Sequence, residues 1–87
     1  MSNPVTEAQN YRNISSTTTI YTGTGSILGI FVSSASSSPT ITVSDGSSTM
    51  VAQFIPVSAT FYPMPGRFGT SLVVTIGGTV NCTVFWD

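Results

Sequence analysis

Side chains that could carry out acid–base or nucleophilic chemistry are scarce in this sequence. The charged residues are Glu7, Arg12, Asp45, Arg67 and Asp87, and the chain contains no histidine and no lysine. General acid–base catalysis needs a titratable pair, and a nucleophile needs a neighbouring base. Nothing in the spacing of the three carboxylates brings two of them together. The sequence therefore predicts that the protein is not an enzyme.

Sites for metals, cofactors and nucleic acids are not predicted either. Asp45 followed by Gly46 is far more typical of a hairpin turn than of a calcium ligand, which would need further carboxylates nearby. Residues 22–25 (TGTG) lack the helix and the lysine of a phosphate-binding loop. Two cationic residues and a net charge of −1 cannot neutralise a nucleic-acid backbone. We expect no cofactor, no metal and no nucleic-acid partner.

The single cysteine excludes an internal disulfide and any multi-cysteine metal site. Cys82 falls in an apolar row and is expected to be a small buried hydrophobic residue. The N-terminal residues lack the basic and apolar regions of a signal peptide, and no apolar run has the length of a membrane span. We expect no membrane association.

The segment from Phe61 to Phe68 (FYPMPGRF) concentrates residue types that dominate protein interfaces. Prolines reduce the entropy lost when a loop orders, and aromatic residues and arginine are typical interface anchors. We predict a rigid turn that contacts a partner through Tyr62, Pro63, Met64, Pro65 and Arg67. The alternative is that Phe61 and Phe68 fill the core while Tyr62 and Arg67 lie at its rim. Arg67 could equally pair with Asp45 or Asp87 within the domain.

Composition favours a subunit whose surface is covered in an assembly. Charged residues make up 6% of the 87-residue chain, against roughly 25% in an ordinary soluble domain. Residues 1–13 show no periodicity and are predicted to form an extended N-terminal arm, either disordered or docked on a neighbour with Tyr11 and Arg12 as its anchor. A tail without a binding role is the equal alternative. Residues 14–87 are predicted to form one β domain.

The last sixteen residues carry the strongest strand signal. Apolar residues alternate with mostly polar ones on both sides of Gly77 and Gly78, which predicts a β-hairpin turning at these glycines. One face of the hairpin is expected to hold Thr75, Asn81 and Thr83. The other is expected to be the buried row of Leu72, Val74, Ile76, Val80, Cys82 and Val84.

Shorter strands are predicted at 15–22, 26–34, 40–44, 48–55 and 59–62, with a flexible loop at Ser33–Ser38 and a hairpin turn at Asp45 and Gly46. No helical pattern occurs. About seven short antiparallel strands with regularly spaced turns predict a small single-domain β-sandwich or jelly-roll-like barrel.

The last fifty or so residues combine four segments: 40–46 (TITVSDG), 61–68 (FYPMPGRF), 76–79 (IGGT) and 83–86 (TVFW). In this combination they resemble small β-rich virion structural proteins of tailed bacteriophages, some of which are capsid decoration (cement) proteins. The resemblance implies a head decoration protein, made in the host cytoplasm, that binds the outer capsid surface at capsomer junctions and stabilises it. The implied partners are the major capsid protein or other virion proteins and copies of the chain itself, preferably as a trimer.

The sequence is also consistent with two other functions. A carbohydrate-binding module or tail adhesin would use exposed Tyr11, Tyr21, Tyr62 or Trp86 as stacking platforms. A tail-tube or neck component is the second alternative.

Overall fold

The computed structural model describes residues 10–87. They form six strands, all antiparallel and hydrogen-bonded into one open sheet. The strands are β1 (Asn10–Ile14), β2 (Thr18–Thr22), β3 (Gly25–Asp45), β4 (Ser48–Phe54), β5 (Thr60–Phe68) and β6 (Ser71–Trp86). The predicted all-β class is confirmed. Among the described residues, no helix could cross a bilayer.

Two long strands, β3 and β6, form the centre of the sheet and pair with each other along most of their length. Four short strands flank them. Near residues 25–32 of β3 and 82–86 of β6, the outer strands are β5 and β1. Near residues 41–45 of β3 and 71–74 of β6, the outer strands are β4 and β2. We call these regions the β1–β5 half and the β2–β4 half.

The predicted hairpin at the C-terminal end is wrong, because residues 71–86 form one continuous strand. Val74 pairs with Val43 of β3, and Cys82 pairs with Val32, instead of pairing with each other. The apolar residues nevertheless share one face, since all of them occupy even positions and side chains alternate along a strand. Five of the six predicted core residues are buried, whereas Ile76 is half-buried.

The predicted serine loop is also part of a strand, since Ser33–Ser38 lies within β3. Ser37 and Ser38 both adopt positive φ angles, of 58° and 57°. Opposite them, Gly78 has a φ of 72°, and a Cβ there would lie 2.5 Å from the carbonyl oxygens of both serines. Only glycine fits this close approach without displacing the backbone. Pairing with β6 runs to Ser36 and resumes at Thr40, so a bulge at 37–39 interrupts the pairing within one strand that has little strand propensity in its serine-rich part.

The predicted arm boundary at residue 13 falls inside β1, whose residues pair with 82–86 of β6. The rest of the predicted arm lies outside the described residues. Backbone hydrogen bonds to the free side of β6 form this strand. It therefore forms without the apolar alternation by which a strand is predicted from sequence. The new strand and the two merged pairs together give six strands where about seven were predicted.

Both halves of the sheet contribute to one core. Its members are the buried side chains Ile14, Ile20, Ile27, Ile30, Val32, Ile41, Val43, Phe68, Leu72, Val74, Val80, Cys82 and Val84. Each of the six strands except β4 supplies at least one of them, and Met50, Val51 and Phe54 of β4 pack against their margin.

The Asp45 carboxylate ties the end of β3 to the turn between β5 and β6. Its Oδ2 accepts a hydrogen bond from the Gly69 N–H at 2.8 Å, and its Oδ1 accepts from Thr70 at 2.8 Å and from Ser71 at 3.2 Å. These bonds, that from Gly69 first, lower the pKa of Asp45 below its ordinary value. The predicted turn after Asp45 is confirmed, since Asp45 pairs with Ser48 across a two-residue connection.

Candidate functional site

The predicted interface segment is a strand, not a rigid turn. Residues 60–68 pair with β3 as strand β5, and their exposure alternates along the strand. Tyr62 and Met64 point towards the core margin and are half-buried, whereas Pro63, Pro65 and Arg67 are exposed on the opposite face. The predicted contact residues are therefore divided between two surfaces.

The first surface is an apolar groove between β4 and β5. It has a volume of about 450 Å³ and is lined by Val51, Phe54, Tyr62, Met64 and Pro63, the last of which also belongs to the opposite face. It exists because β4 and β5 both pair with β3, but at opposite ends of that strand, so they do not pair with each other. We call this surface the β4–β5 groove.

Tyr62 is held in the groove by one hydrogen bond and one aromatic contact. Its hydroxyl oxygen accepts a hydrogen bond from the Val57 N–H at 2.8 Å. Its ring lies 5.0 Å from that of Phe54, centroid to centroid. The contact also fixes the 55–59 connection, where Ile55 and Val57 are 73% and 61% exposed. The groove thus has an apolar floor held by these contacts, and the exposed Ile55 and Val57 lie in the connection that follows its lining residue Phe54.

The second surface is the outer face of the β1–β5 half. Cross-strand pairing aligns Tyr11, Phe85, Gly29 and Pro63 in one row. The next row is Asn13, Thr83, Phe31 and Phe61. We call the apolar part of this surface, consisting of Tyr11, Phe31, Phe61, Pro63 and Phe85, the aromatic face.

On the aromatic face, the Phe61 ring packs against Gly29. A Cβ on Gly29 would lie 2.5 Å from the Phe61 ring, so the missing side chain makes room for that ring. Phe61 in turn contacts Phe85 edge to face, with centroids 6.3 Å apart. Such pairs contribute about 0.5–1.5 kcal/mol beyond area burial. The face is therefore ordered, although Tyr11, Phe31 and Phe61 remain 75%, 38% and 43% exposed.

The two predicted arm anchors lie on β1 and point to opposite sides of the sheet. Tyr11 pairs with Phe85 on the outer face, and Arg12 pairs with Val84, whose side chain lies in the core. Arg12 is nevertheless exposed, because β1 is an edge strand. Tyr11 joins the aromatic face, whereas Arg12 does not.

The other two residues proposed as stacking platforms, Tyr21 and Trp86, are partly covered by packing. Tyr21 is 46% exposed and contacts the buried Phe68 edge to face, at 6.3 Å between centroids. Trp86 is half-buried and packs against the core.

The aromatic face was missed as a unit, although a signal for it was present. Phe31, Phe61 and Phe85 occupy positions out of phase with the buried residues of their strands. Apolar residues on the outward side of a strand indicate either a second layer or an uncovered face. Only the pairing of β1, β6, β3 and β5 brings these separate positions together.

Reactive groups are sparse in the part of the chain that the structure describes. Residues 10–87 contain no cluster of three metal-binding side chains. The Cys82 thiol is buried in the core, as expected, and burial raises its pKa to about 11. At neutral pH it is a protonated core side chain.

Comparison with known proteins gives no match: no protein family, curated protein or solved structure corresponds to this chain.

Proposed function

We propose that this protein is a non-enzymatic structural subunit of a phage virion, in the most specific form a head decoration protein. It binds the outside of the capsid where capsomers meet and stabilises those junctions. The observation that carries the proposal is the uncovered β4–β5 groove with Ile55 and Val57 beside it. The assignment to a virion rests on the sequence resemblance.

The groove supports a contact that does not depend on charge. Its lining residues are all uncharged. No salt bridge between described residues covers it. Apolar contacts of this kind are insensitive to salt, unlike exposed ion pairs. Because Tyr62 and Phe54 are already fixed by packing, little ordering entropy is lost when a partner binds.

The occupant of the groove in this proposal is an apolar segment of the major capsid protein. Ile55 and Val57 extend the contact beyond the groove, and exclusion of water from both would supply most of the affinity. Subunits bound in this way at capsomer junctions would then resist separation of the capsomers.

The sandwich or jelly-roll-like architecture is part of the same proposal. It is supported by the single core to which both halves of β6 contribute, Leu72 and Val74 from one half and Val80, Cys82 and Val84 from the other. A continuous strand can serve two packed layers when it bends between them.

A carbohydrate-binding adhesin is the alternative that the exposed Tyr11 favours. An amide donor on that face is already engaged, since Asn13 Nδ2 donates to Asn81 Oδ1 at 2.9 Å and to the Cys82 carbonyl at 3.0 Å. Sugar recognition needs free polar groups beside the aromatic ring. A glycan array on the purified protein separates the two functions.

The proposal is tested by co-sedimentation with expanded, undecorated capsids of the phage that encodes the protein. Ile55→Asp places a charge beside the groove at an exposed position, so the domain should stay folded. We expect capsid affinity to fall at least about tenfold. Ser47→Asp is the matched control, because Ser47 is exposed in the β3–β4 turn. The proposal fails if the wild-type protein does not bind capsids, or if both variants bind equally well.

A further inference from the structure

The outer surface of the β1–β5 half carries two opposite charges in one row. Backbone hydrogen bonds join Ser26 to Asp87, and Ser26 also pairs with Arg67 of β5. Alternation along β6 places Asp87 on the same side as Phe85, and alternation along β5 places Arg67 on the same side as Pro63. The row therefore reads Asp87, Ser26, Arg67 at one end of the aromatic face.

This row is arranged symmetrically about β3. Asp87 continues β6 on one side, and Arg67 lies on β5 on the other, each one strand spacing of about 4.8 Å from Ser26. The two side chains do not form an ion pair within the described chain. Each charge is thus exposed next to an apolar surface without a partner of opposite sign in contact.

We propose that the aromatic face binds a second copy of this chain, as a two-fold dimer whose axis runs along β3. Rotation about that axis exchanges the two sides of the row. Arg67 of each copy then faces Asp87 of the other, which gives two reciprocal ion pairs. A two-fold interface is self-complementary in this way, because the same patch serves both subunits.

The rest of the face fits the same axis. Phe31 lies on β3, so the two copies of Phe31 meet near the axis, while Phe61 and Phe85 lie on either side of it. Gly29, also on β3, leaves room there for the Phe61 ring. Two sheets packed face to face lie about 10 Å apart, a gap that aromatic side chains fill. The geometry favours this dimer in place of the trimer that the resemblance implies.

The charge row makes the dimer testable by complementary reversal. Arg67→Asp gives a face with two acidic groups, and Asp87→Arg gives a face with two basic groups. Each variant alone should dimerise more than about tenfold less tightly than the wild type, because like charges would face each other. An equimolar mixture of the two variants should form a heterodimer, since both cross-interface pairs become attractive again.

The control is Arg12→Asp, an equal change in charge on a side chain that points away from the aromatic face. It should leave dimerisation unchanged. Sedimentation velocity over a range of concentrations measures the wild type, the three single variants, the equimolar mixture and the double variant Arg67→Asp/Asp87→Arg. Circular dichroism checks that each is folded.

Three outcomes would overturn the dimer. The wild-type protein could be a monomer at all concentrations, or the single reversals could leave its association unchanged. The third outcome is that the mixture forms no heterodimer while the double variant regains full association. Arg67 and Asp87 would then pair within one chain and not across the interface. Capsid binding through the β4–β5 groove does not enter this measurement, so failure of either proposal leaves the other intact.

Discussion

The packing of β6 can be tested at two neighbouring valines that differ only in the side of the strand they occupy. Val74 is fully buried between Thr18 of β2 and Val43 of β3. Val73 points to the other side and is half-buried. Replacing either with alanine removes the same two methyl groups. The difference between the two variants therefore measures burial and not chemistry.

The expected cost for Val74→Ala follows from these contacts. Two buried methyl groups contribute about 1.6 kcal/mol of transfer free energy, at roughly 0.8 kcal/mol each. The cavity left among rigid strands adds to this, giving a loss of about 2–3 kcal/mol in the free energy of unfolding. For a domain of this size, the melting temperature should fall by about 10–20 °C. Val73→Ala should cost about 1 kcal/mol or less, from partial burial and lower strand propensity.

Urea unfolding followed by tryptophan fluorescence measures both variants, and an unchanged denaturant slope confirms that the same transition is compared. Trp86 is the single tryptophan and packs at the core margin, so its emission reports on unfolding. Equal losses for the two variants would refute the reasoning, because the alternation along β6 would then not determine which side chains form the core.

Three further predictions concern acid, alkali and backbone geometry. Because the folded-state pKa of Asp45 is depressed, its stabilising contribution is present above the unfolded-state pKa and is lost as pH falls through the folded value. Asp45→Asn should therefore melt earlier at neutral pH and converge with the wild type in acid, as thermal melts across pH would record. Since the pKa of Cys82 is raised to about 11 from 9.0, the free energy of unfolding should decrease as pH rises between these values. A thiol reagent at neutral pH should label Cys82 only after unfolding, and rapid labelling of the native protein would contradict its burial. Gly78→Ala should destabilise the fold by about 1 kcal/mol or more, because of its positive φ and the two nearby carbonyls, whereas Thr79→Ala next to it should have little effect on the melting temperature.

The structure also changes how the predicted interface segment should be probed. Removing the Tyr62 ring would leave the Val57 N–H without its hydrogen-bond acceptor and remove the contact with Phe54. A Tyr62→Ala variant would therefore mix loss of folding with loss of binding. Ile55, which is exposed and makes neither contact, is the cleaner position for a binding experiment.

The sequence by itself determined the all-β class and the part of the core that β6 supplies. Alternation identified the buried face of β6, since a period of two places every second residue on the same side whatever the strand pairs with. It also identified the turn at Asp45 and Gly46, because a two-residue connection there depends on local backbone preferences. Cys82 was correctly placed in the core for the same reason of phase.

Tertiary structure alone decided where the strands continue and which surfaces they form. Three residues separate Ile76 from Val80, so the apolar phase is the same for a three-residue turn and for one unbroken strand. Hydrogen bonds to β3 select the strand, and pairing on both sides of the 37–39 bulge keeps β3 one strand across its serines. The β4–β5 groove and the aromatic face depend on strands far apart in sequence. Their residues meet because their strands pair with β3 and β6. Long-range hydrogen bonds and burial determine that pairing, and no local sequence pattern encodes it.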